Sequence, residues 1–434
     1  MDESSRPERT AVFVDGGRIP FQRSGTGYRE LMAYDLGRMA IEGLIGRSAI
    51  DASQLDRVIM GTVIQDVNTS NVARESALGA GVPDSVPAHT VTMACISSNQ
   101  AVTSAVDLIR SGQCEIVLAG GTETMSDIPI RFRRKFRQKL LDARKYKSLS
   151  DWLSFFKGLR PSDLLPDIPE IAEFSTGETM GESCDRMAAR FGISREEQDR
   201  YSLRSHRLAA EATHSGKLDD ELFPAAVPPD FATLQQDNGF REDTSMEKLE
   251  KLSPAFIKPH GTVTAGNSSF LTDGASASLI MSRSKAKELG LHPRAVLRAY
   301  TYVAQDPKDE LLLGPAYATP KVLDAMGLTL DDIDVFEFHE AFAGQILTVL
   351  KALDSQTFAR EKLGRDKAVG EIPMDRFNTL GGSLSLGHPF GATGTRLVTT
   401  AVNRLHDEDG TFALVAACAA GGQGHALILE RLSS

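Results

Sequence analysis

Two short patterns each occur twice in this chain, in the same order, and this repetition constrains its fold more than any other feature. Ile50-Asp-Ala-Ser-Gln-Leu-Asp-Arg-Val-Ile59 reads like Leu328-Thr-Leu-Asp-Asp-Ile-Asp-Val-Phe-Glu337. Further on, Ile116-Val-Leu-Ala-Gly-Gly121 reads like Ala413-Leu-Val-Ala-Ala-Cys418. Both copies of the first pattern follow a helical stretch and run into a strand. Repeats that keep their order imply two similar α/β units. Short apolar runs alternate with helical periodicities around them, the rhythm of an α/β protein. This rhythm predicts strands over Arg9–Val14, Arg57–Val63, His89–Ala94, Glu115–Gly120, Val335–Phe338, Thr411–Ala417 and Ala426–Glu430. It predicts helices over Tyr34–Arg47, Ser97–Arg110, Phe342–Leu353 and Thr393–Leu405. A further helix, Arg195–His214, opens on Ser194-Arg-Glu-Glu197, where serine and glutamate can satisfy free N–H groups reciprocally. About Thr124–Lys251 lacks the strand rhythm and reads as an insertion. The expected organisation is a first unit over 1–123, a loop domain over 124–251, completion of the first unit over 252–284, and a second unit over 285–434.

The chain has 434 residues, enough for two or three packed units. With 41% apolar and 24% charged residues it reads as a soluble globular protein. No apolar run reaches the roughly 18 residues of a membrane span. The polar, acid-containing Met1–Thr10 reads as neither secretory signal nor transit peptide. Four cysteines, Cys95, Cys114, Cys184 and Cys418, are too few for a disulfide framework and favour a reducing compartment. A net charge of −10 argues against general nucleic-acid binding. Yet Arg131–Arg160 holds eleven Lys or Arg against two acids, Asp142 and Asp151, which suggests an anionic partner for that segment.

Four reactive side chains stand at strand ends, where α/β folds usually bind ligands. Cys95 ends the run His89-Thr-Val-Thr-Met-Ala-Cys95 and precedes a helix of small residues. The positive end of a helix dipole favours thiolate there; a buried core cysteine is the alternative. His388 lies in Gly381-Gly-Ser-Leu-Ser-Leu-Gly-His-Pro-Phe-Gly-Ala-Thr-Gly394. These glycines let a ligand approach the backbone, and a histidine suits a general base. A phosphate cradle is the rival, but neither P-loop nor Rossmann spacing is present, and a structural role stays equally open. Cys418 opens Cys418-Ala-Ala-Gly-Gly-Gln-Gly424 and His339 lies in Phe336-Glu-Phe-His-Glu-Ala-Phe342. Two Cys and two His could form a zinc site, but their spacing fits no finger, ribbon or zincin helix, so no metal is expected.

Taken together, Met93-Ala-Cys-Ile-Ser-Ser-Asn-Gln100, Gly261-Thr-Val-Thr-Ala-Gly-Asn-Ser-Ser269, His339-Glu-Ala-Phe342, Gly387-His-Pro-Phe-Gly-Ala-Thr-Gly394 and Cys418-Ala-Ala-Gly-Gly-Gln-Gly424 resemble the thiolase family. Within it the chain is most similar to the β-subunits of the trifunctional enzymes of fatty-acid β-oxidation, from about Thr10 to the end. The resemblance implies a five-layer αβαβα fold with an inserted loop domain. It implies cleavage of 3-ketoacyl-CoA by coenzyme A, with CoA as substrate and no permanently bound cofactor. Cys95 would carry the acyl group as a thioester and His388 would remove its proton. Cys418 would protonate the departing acetyl-CoA carbanion. His339 and His388 would form one oxyanion hole, and the backbone N–H groups of Cys95 and Ala420 the second. Ser269 would touch the pantetheine arm. The chain departs from many thiolases in having His339 for asparagine, and Ser98 and Ala420 for glycines. A thiolase homodimer in an α2β2 complex with a hydratase/dehydrogenase α-subunit is implied as well.

The segment Arg131–Lys147 mixes cations with Phe132, Phe136, Leu140 and Leu141, and Trp152, Phe155 and Phe156 follow. It reads as a membrane-surface element, as a solvated helix packed on its own body, or as a CoA-facing surface. The resemblance favours an anionic membrane. It implies cytoplasm, peripheral to the inner membrane, for a bacterial chain, and mitochondrial matrix for a processed eukaryotic one. A biosynthetic acetoacetyl-CoA thiolase is the nearest alternative, since the chemistry is reversible. A ketoacyl synthase uses Cys-His-His with a carrier protein, and Cys418 speaks against it. A non-catalytic lipid-binding member of the fold would be expected to lose a catalytic residue, and none is lost here.

Overall fold

The computed structural model describes residues 9–167 and 172–432; most of the Met1–Thr10 stretch lies outside them. Nine strands form the main sheet path: β1 (Ala11–Arg18), β2 (Arg57–Gly61), β3 (Ala88–Val91), β4 (Ile116–Glu123), β5 (Thr272–Ser282), β6 (Ala295–Ala304), β7 (Val335–Phe338), β8 (Phe412–Ala419) and β9 (Gln423–Arg431). Their order is β7-β8-β9-β6-β1-β5-β4-β2-β3, with Gln22–Arg23 paired to β5 off this path. The path is two sheets joined at a narrow seam. β1 and β6 pair only through Val12–Val296 and Phe13–Ala295, whereas β4 and β5 pair from Gly274–Glu123 to Met281–Ile116.

The internal repeat is visible in this topology. A 3-10 turn over Ala52–Gln54 feeds β2, which lies parallel to β4. A 3-10 turn over Leu330–Asp332 feeds β7, which lies parallel to β8. β3 flanks β2 in the first half, and in the second a single bridge, Phe336 to Phe377, takes the corresponding place.

Three apolar clusters explain why five layers form. In the middle, Val102, Val106 and Ile109 of α2 (Ser97–Arg110) and Leu397, Val402 and Leu405 of α8 (Thr393–Asp407) pack between Ile59, Val117 and Ile280 of one sheet and Val335, Val415 and Leu427 of the other. Outside the first sheet, Leu36, Ile41 and Leu44 of α1 (Ala33–Ser48) cover Val58, Leu118 and Leu279. Outside the second, α6 (Gly314–Met326) and α7 (Ala343–Leu353) cover Phe336, Phe338, Leu414 and Ile428. Both faces of each sheet are therefore covered, and the strands carry continuous rather than alternating apolar runs. Helix α5 (Arg195–His214) begins at its sequence-predicted capping box, with Ser194 N–H donating to the Glu197 carboxylate at 2.6 Å and Glu197 N–H to Ser194 Oγ at 3.2 Å.

Two strands escape the sequence reading. β5, Thr-Asp-Gly-Ala-Ser-Ala-Ser-Leu-Ile-Met-Ser, looks like a loop because its first half is small and polar, yet all eleven residues are buried. Its hydroxyls find acceptors inside: Ser276 donates to Ala392 O at 2.6 Å and Ser278 to Ala119 O at 2.9 Å. β6 carries arginine and two tyrosines and lacks a clean period. The predicted strand His89–Ala94 stops at Val91, because Ala94 turns into the left-handed region with φ 48°.

The basic segment folds as a helical hairpin of α3 (Arg134–Ala143) and α4 (Leu149–Phe155), with Arg131–Phe132 a short strand against Pro166–Asp167. Phe136 meets Phe132 at 5.0 Å and Phe155 at 5.9 Å between ring centroids, holding the hairpin together. No α3 residue is buried, and Leu141, Leu149, Trp152, Leu153 and Phe156 stand exposed beside the cations.

Candidate active site

A tight turn carries Cys95. After β3, Ser97 Oγ accepts from Met93 N–H at 2.8 Å and donates to Ala94 O at 2.7 Å, which clamps the turn on Ala94 and leaves Cys95 just before α2. Cys95 keeps part of its surface open, while Cys114, Cys184 and Cys418 are buried. Burial nevertheless pushes the Cys95 thiol up to about 12, against the pull of the Ala420 and Cys95 N–H groups, with Glu123 and Glu173 adding to the rise. The helix-end argument for a ready thiolate is therefore corrected: desolvation outweighs the helix start. The N–H groups of Cys95 and Ala420 aim at this sulfur.

His339 follows β7, and its N–H donates to Ala416 O at 2.8 Å, two residues before Cys418. His388 sits in the glycine loop, its N–H donating to Thr272 Oγ1 of β5 at 3.0 Å. The two imidazoles lie 4.0 Å apart between centroids, and one donor atom from each of Cys95, His339 and His388 falls within 4.8 Å of the others. Cys418, buried at the end of β8, is pushed well above its usual range by burial and then by its neighbour Cys95. Thus Cys95, His339, His388, Cys418 and the Ala420 N–H come together. Ser269 stands aside: its N–H donates to Ala341 O at 3.0 Å, which ties it to the His339 loop.

The hydrogen-bond partners of the two imidazoles assign them opposite tautomers. His339 Nδ1 lies 2.9 Å from Ser383 Oγ, which already accepts from Arg396 at 3.1 Å. Arginine can only donate, so the serine proton is free for Nδ1 and the His339 proton stays on Nε2. His388 Nδ1 lies 2.6 Å from Thr393 Oγ1, whose own proton goes to Pro389 O at 3.1 Å. The threonine oxygen then accepts Nδ1–H, and His388 Nε2 keeps a lone pair. Neither Nε2 has a hydrogen-bond partner. Burial holds both rings neutral: His339 is pushed down to about 3, and His388 well below its usual value, by burial and then by the His339 and Arg396 charges. The site thus offers a neutral donor at His339, a neutral acceptor at His388 and a protonated thiol between them.

Sequence reasoning missed the residues that hold this arrangement. Glu123, buried, accepts from Ile64 N–H at 2.9 Å, Val63 N–H at 3.0 Å and Gly391 N–H at 2.9 Å, so it joins the end of β4 to the His388 loop. Burial raises its carboxyl to about 7. Glu173, from the insertion, accepts from Gly421 N–H at 2.5 Å, next to Ala420. Ser98 receives Thr395 N–H at 3.1 Å, locking the starts of α2 and α8 together. The backbones here nearly touch. A Cβ on Gly121 would lie 1.8 Å from Gly391 O, and one on Gly394 would lie 2.1 Å from Asn99 Oδ1. Beside this site Arg23, His206 and Arg241 line a hollow with Ser268 and Phe270. Burial and Arg241 lower Arg23, while burial and both arginines lower His206 to about 4. Two arginine charges in one hollow, beside a neutral imidazole, invite an anion. Ser383 and Thr393 lie inside the glycine-rich stretch that sequence reading singled out for His388 alone.

The thiolase N-terminal domain family matches residues 11–284, and the thiolase C-terminal domain family matches residues 291–431. The chain is 61% identical over 422 residues to the bovine mitochondrial trifunctional enzyme subunit beta, covering 97% of this chain and 88% of that one. It is 47% identical over 419 residues to the 3-ketoacyl-CoA thiolase of Yersinia pestis, covering 96% of each. The crystal structure of human mitochondrial 3-ketoacyl-CoA thiolase superposes with a TM-score of 0.84 at 31% identity, covering 98% of this chain and 100% of that one.

Proposed function

Since this chain belongs to the thiolase family and is an acyltransferase of the 3-ketoacyl-CoA thiolase kind, we propose that Cys95 is its acyl carrier and that the two oppositely hydrogen-bonded imidazoles divide the remaining work. His388 Nε2 takes the Cys95 proton as sulfur attacks the C3 carbonyl of 3-ketoacyl-CoA. The N–H groups of Cys95 and Ala420 receive the oxyanion. The C2–C3 bond then breaks, and its electron pair moves into the enolate of the acetyl-CoA thioester. His339 Nε2–H and the newly protonated His388 hold that enolate oxygen, while Cys418 supplies the proton to C2. Acetyl-CoA leaves. Coenzyme A enters, gives its thiol proton to Cys418, and attacks the Cys95 thioester. The shortened acyl-CoA departs as His388 returns its proton to Cys95, which balances both proton accounts. Donors already placed where charge develops lower such barriers most, and the covalent thioester splits one hard step into two.

The observation that carries this reading is the pair of buried imidazoles held through Nδ1 by Ser383 and Thr393, with both Nε2 atoms free beside Cys95. The hollow lined by Arg23, His206, Arg241 and Ser268 suits the phosphates of CoA, and Ser269, next in the chain, is the residue we assign to the pantetheine arm. The likeness to trifunctional enzyme beta subunits supports a homodimer joined to an α-subunit in α2β2 form. It also supports a mitochondrial matrix setting for a eukaryotic chain. No helix among the described residues is long and apolar enough to cross a membrane. The exposed aromatics and cations of the α3–α4 hairpin fit peripheral attachment to anionic lipid. Trapping with acyl-CoA followed by peptide mass spectrometry should place the label on Cys95; a label on Cys418 with Cys95 unmodified refutes the assignment. Thiolysis rates over a C4 to C16 ketoacyl-CoA series, with and without liposomes, separate degradative from acetoacetyl-CoA use.

A further inference from the structure

We infer that Cys95, His339 and His388 also form a capture site for one soft divalent cation, Zn(II) by preference, and that its occupation reversibly shuts the enzyme off. A nucleophilic cysteine needs one imidazole to take its proton. Here two imidazoles stand at the sulfur, and one donor atom from each of the three residues lies within 4.8 Å of the others. Both Nδ1 atoms are engaged by hydroxyls, at 2.9 Å to Ser383 and 2.6 Å to Thr393, so the free Nε2 atoms are the available ligands. Those Nε2 atoms belong to fully or almost fully buried rings, His339 at 0% and His388 at 3% exposure, and have no protein partner. A buried polar nitrogen without a partner is costly; a metal ion would take the His388 Nε2 lone pair directly and that of His339 Nε2 once its proton moves to Nδ1, toward Ser383 Oγ.

The donor set suits the ion. Thiolate and imidazole select Zn(II) and its soft neighbours over magnesium or calcium. Zinc takes sulfur at about 2.3 Å and nitrogen at about 2.0–2.1 Å in a tetrahedron, so ligand atoms must stand about 3.3–3.6 Å apart. Closing the present spacing needs about 1 Å of movement, within reach of a Cys95 rotamer change. Three ligands leave a fourth position, on the side where Cys95 meets solvent. Thr393 already accepts the Nδ1–H of His388, the outer hydrogen bond that orients a metal-bound histidine, and Ser383 Oγ accepts that of His339 after the proton shift. Binding exchanges the thiol proton for the metal: Zn(II) joins Cys95 sulfur and one proton leaves to solvent, with no oxidation change. The loss of activity rests on the reading of Cys95 as nucleophile, whereas the metal site rests on geometry alone.

Cobalt(II) titrated into chelator-treated full-length protein tests this without turnover. We expect one equivalent to give a thiolate-to-cobalt charge-transfer band with intense tetrahedral visible bands, displaced by excess Zn(II). Cys95→Ala should abolish the band and His339→Asn should weaken cobalt binding at least about tenfold, while Cys418→Ala keeps it. If Cys95→Ala misfolds, wild-type protein alkylated at Cys95 replaces it and should show no band. Zn(II) should inhibit thiolysis, with full recovery on adding EDTA. No thiolate band in the wild type, a band surviving Cys95 loss or alkylation, or unchanged affinity in His339→Asn overturns the site. A Cys95-dependent band together with an acyl label found on another residue would keep the metal site and remove only its inhibitory consequence.

Discussion

Replacing Ser383 with alanine removes one hydroxyl that touches no substrate in the proposed mechanism, yet the tautomer argument makes it matter. The hydroxyl stands between Arg396 at 3.1 Å and His339 Nδ1 at 2.9 Å. A neutral hydrogen bond of this kind contributes about 1 kcal/mol, and about 1.4 kcal/mol is a factor of ten. Without it the His339 proton loses its bias toward Nε2: the tautomer ratio falls about fivefold, and the competent fraction falls about twofold, to about one half. That is smaller than the roughly 10²–10³-fold expected when an oxyanion donor is deleted outright, as in His339→Ala. Arg396 also loses an acceptor, which costs the fold about 1–3 kcal/mol. The discriminating assay uses two reactions. Thiolysis of ketoacyl-CoA builds an enolate and should slow in kcat with little change in KM. Exchange of a simple acyl group between Cys95 and CoA builds no enolate and should proceed at near wild-type rate. An equal loss in both reactions would point to general disorder of the site. No loss in either would refute the assignment of the His339 proton.

The remaining predictions follow from geometry in the same way. Because burial places the Cys95 thiol at about 12 while part of its surface stays open, alkylation by iodoacetamide should keep climbing with pH to about 9; a plateau near neutrality would mean a preformed thiolate. Below its pKa each pH unit raises the thiolate fraction about tenfold, so the slope itself is readable. Glu173→Gln should lower kcat about threefold to tenfold with KM little changed, since a weaker acceptor for Gly421 N–H loosens the turn that aims the Ala420 N–H; an unchanged kcat would show that the turn holds its shape alone. Glutamate at Arg133, Arg134, Arg137 and Lys139 should abolish co-sedimentation with anionic liposomes and spare thiolysis of a short soluble ketoacyl-CoA, because each cation near such a surface contributes about 1 kcal/mol. Wild-type protein that fails to bind at low salt, alone and with an α-subunit, would exclude the membrane reading.

The two-unit architecture was legible because the repeat Ile50–Ile59 and Leu328–Glu337 marks equivalent turn-strand pieces, and the helix Arg195–His214 announces itself by its capping box. β5 was not legible, because its polar half is buried by partners 159 and 116 residues away in sequence, Ala119 and Ala392. Local pattern carries no trace of such partners. The reactive residues were legible from type and position at strand ends. Their protonation states were not: burial overrides the helix start at Cys95, and Ser383 and Thr393 set the imidazole protons through contacts that spacing cannot reveal. Glu173 stood hidden in an insertion that lacks the strand rhythm and so offers no strand end to mark it.

The near contact of Gly121 with Gly391, where an added methyl would lie 1.8 Å from a carbonyl oxygen, sets what can change over evolutionary time. A floor made of bare backbone has no side chains to vary, so selection has little to act on there without parting the two halves. Walls are different. The insertion reaches the site through Glu173 and the turn at Gly421, and it can be lengthened, recharged or exchanged while the floor stays as it is. Chemistry in this architecture is therefore inherited as one block, and substrate range and cellular address are open to divergence by loop replacement.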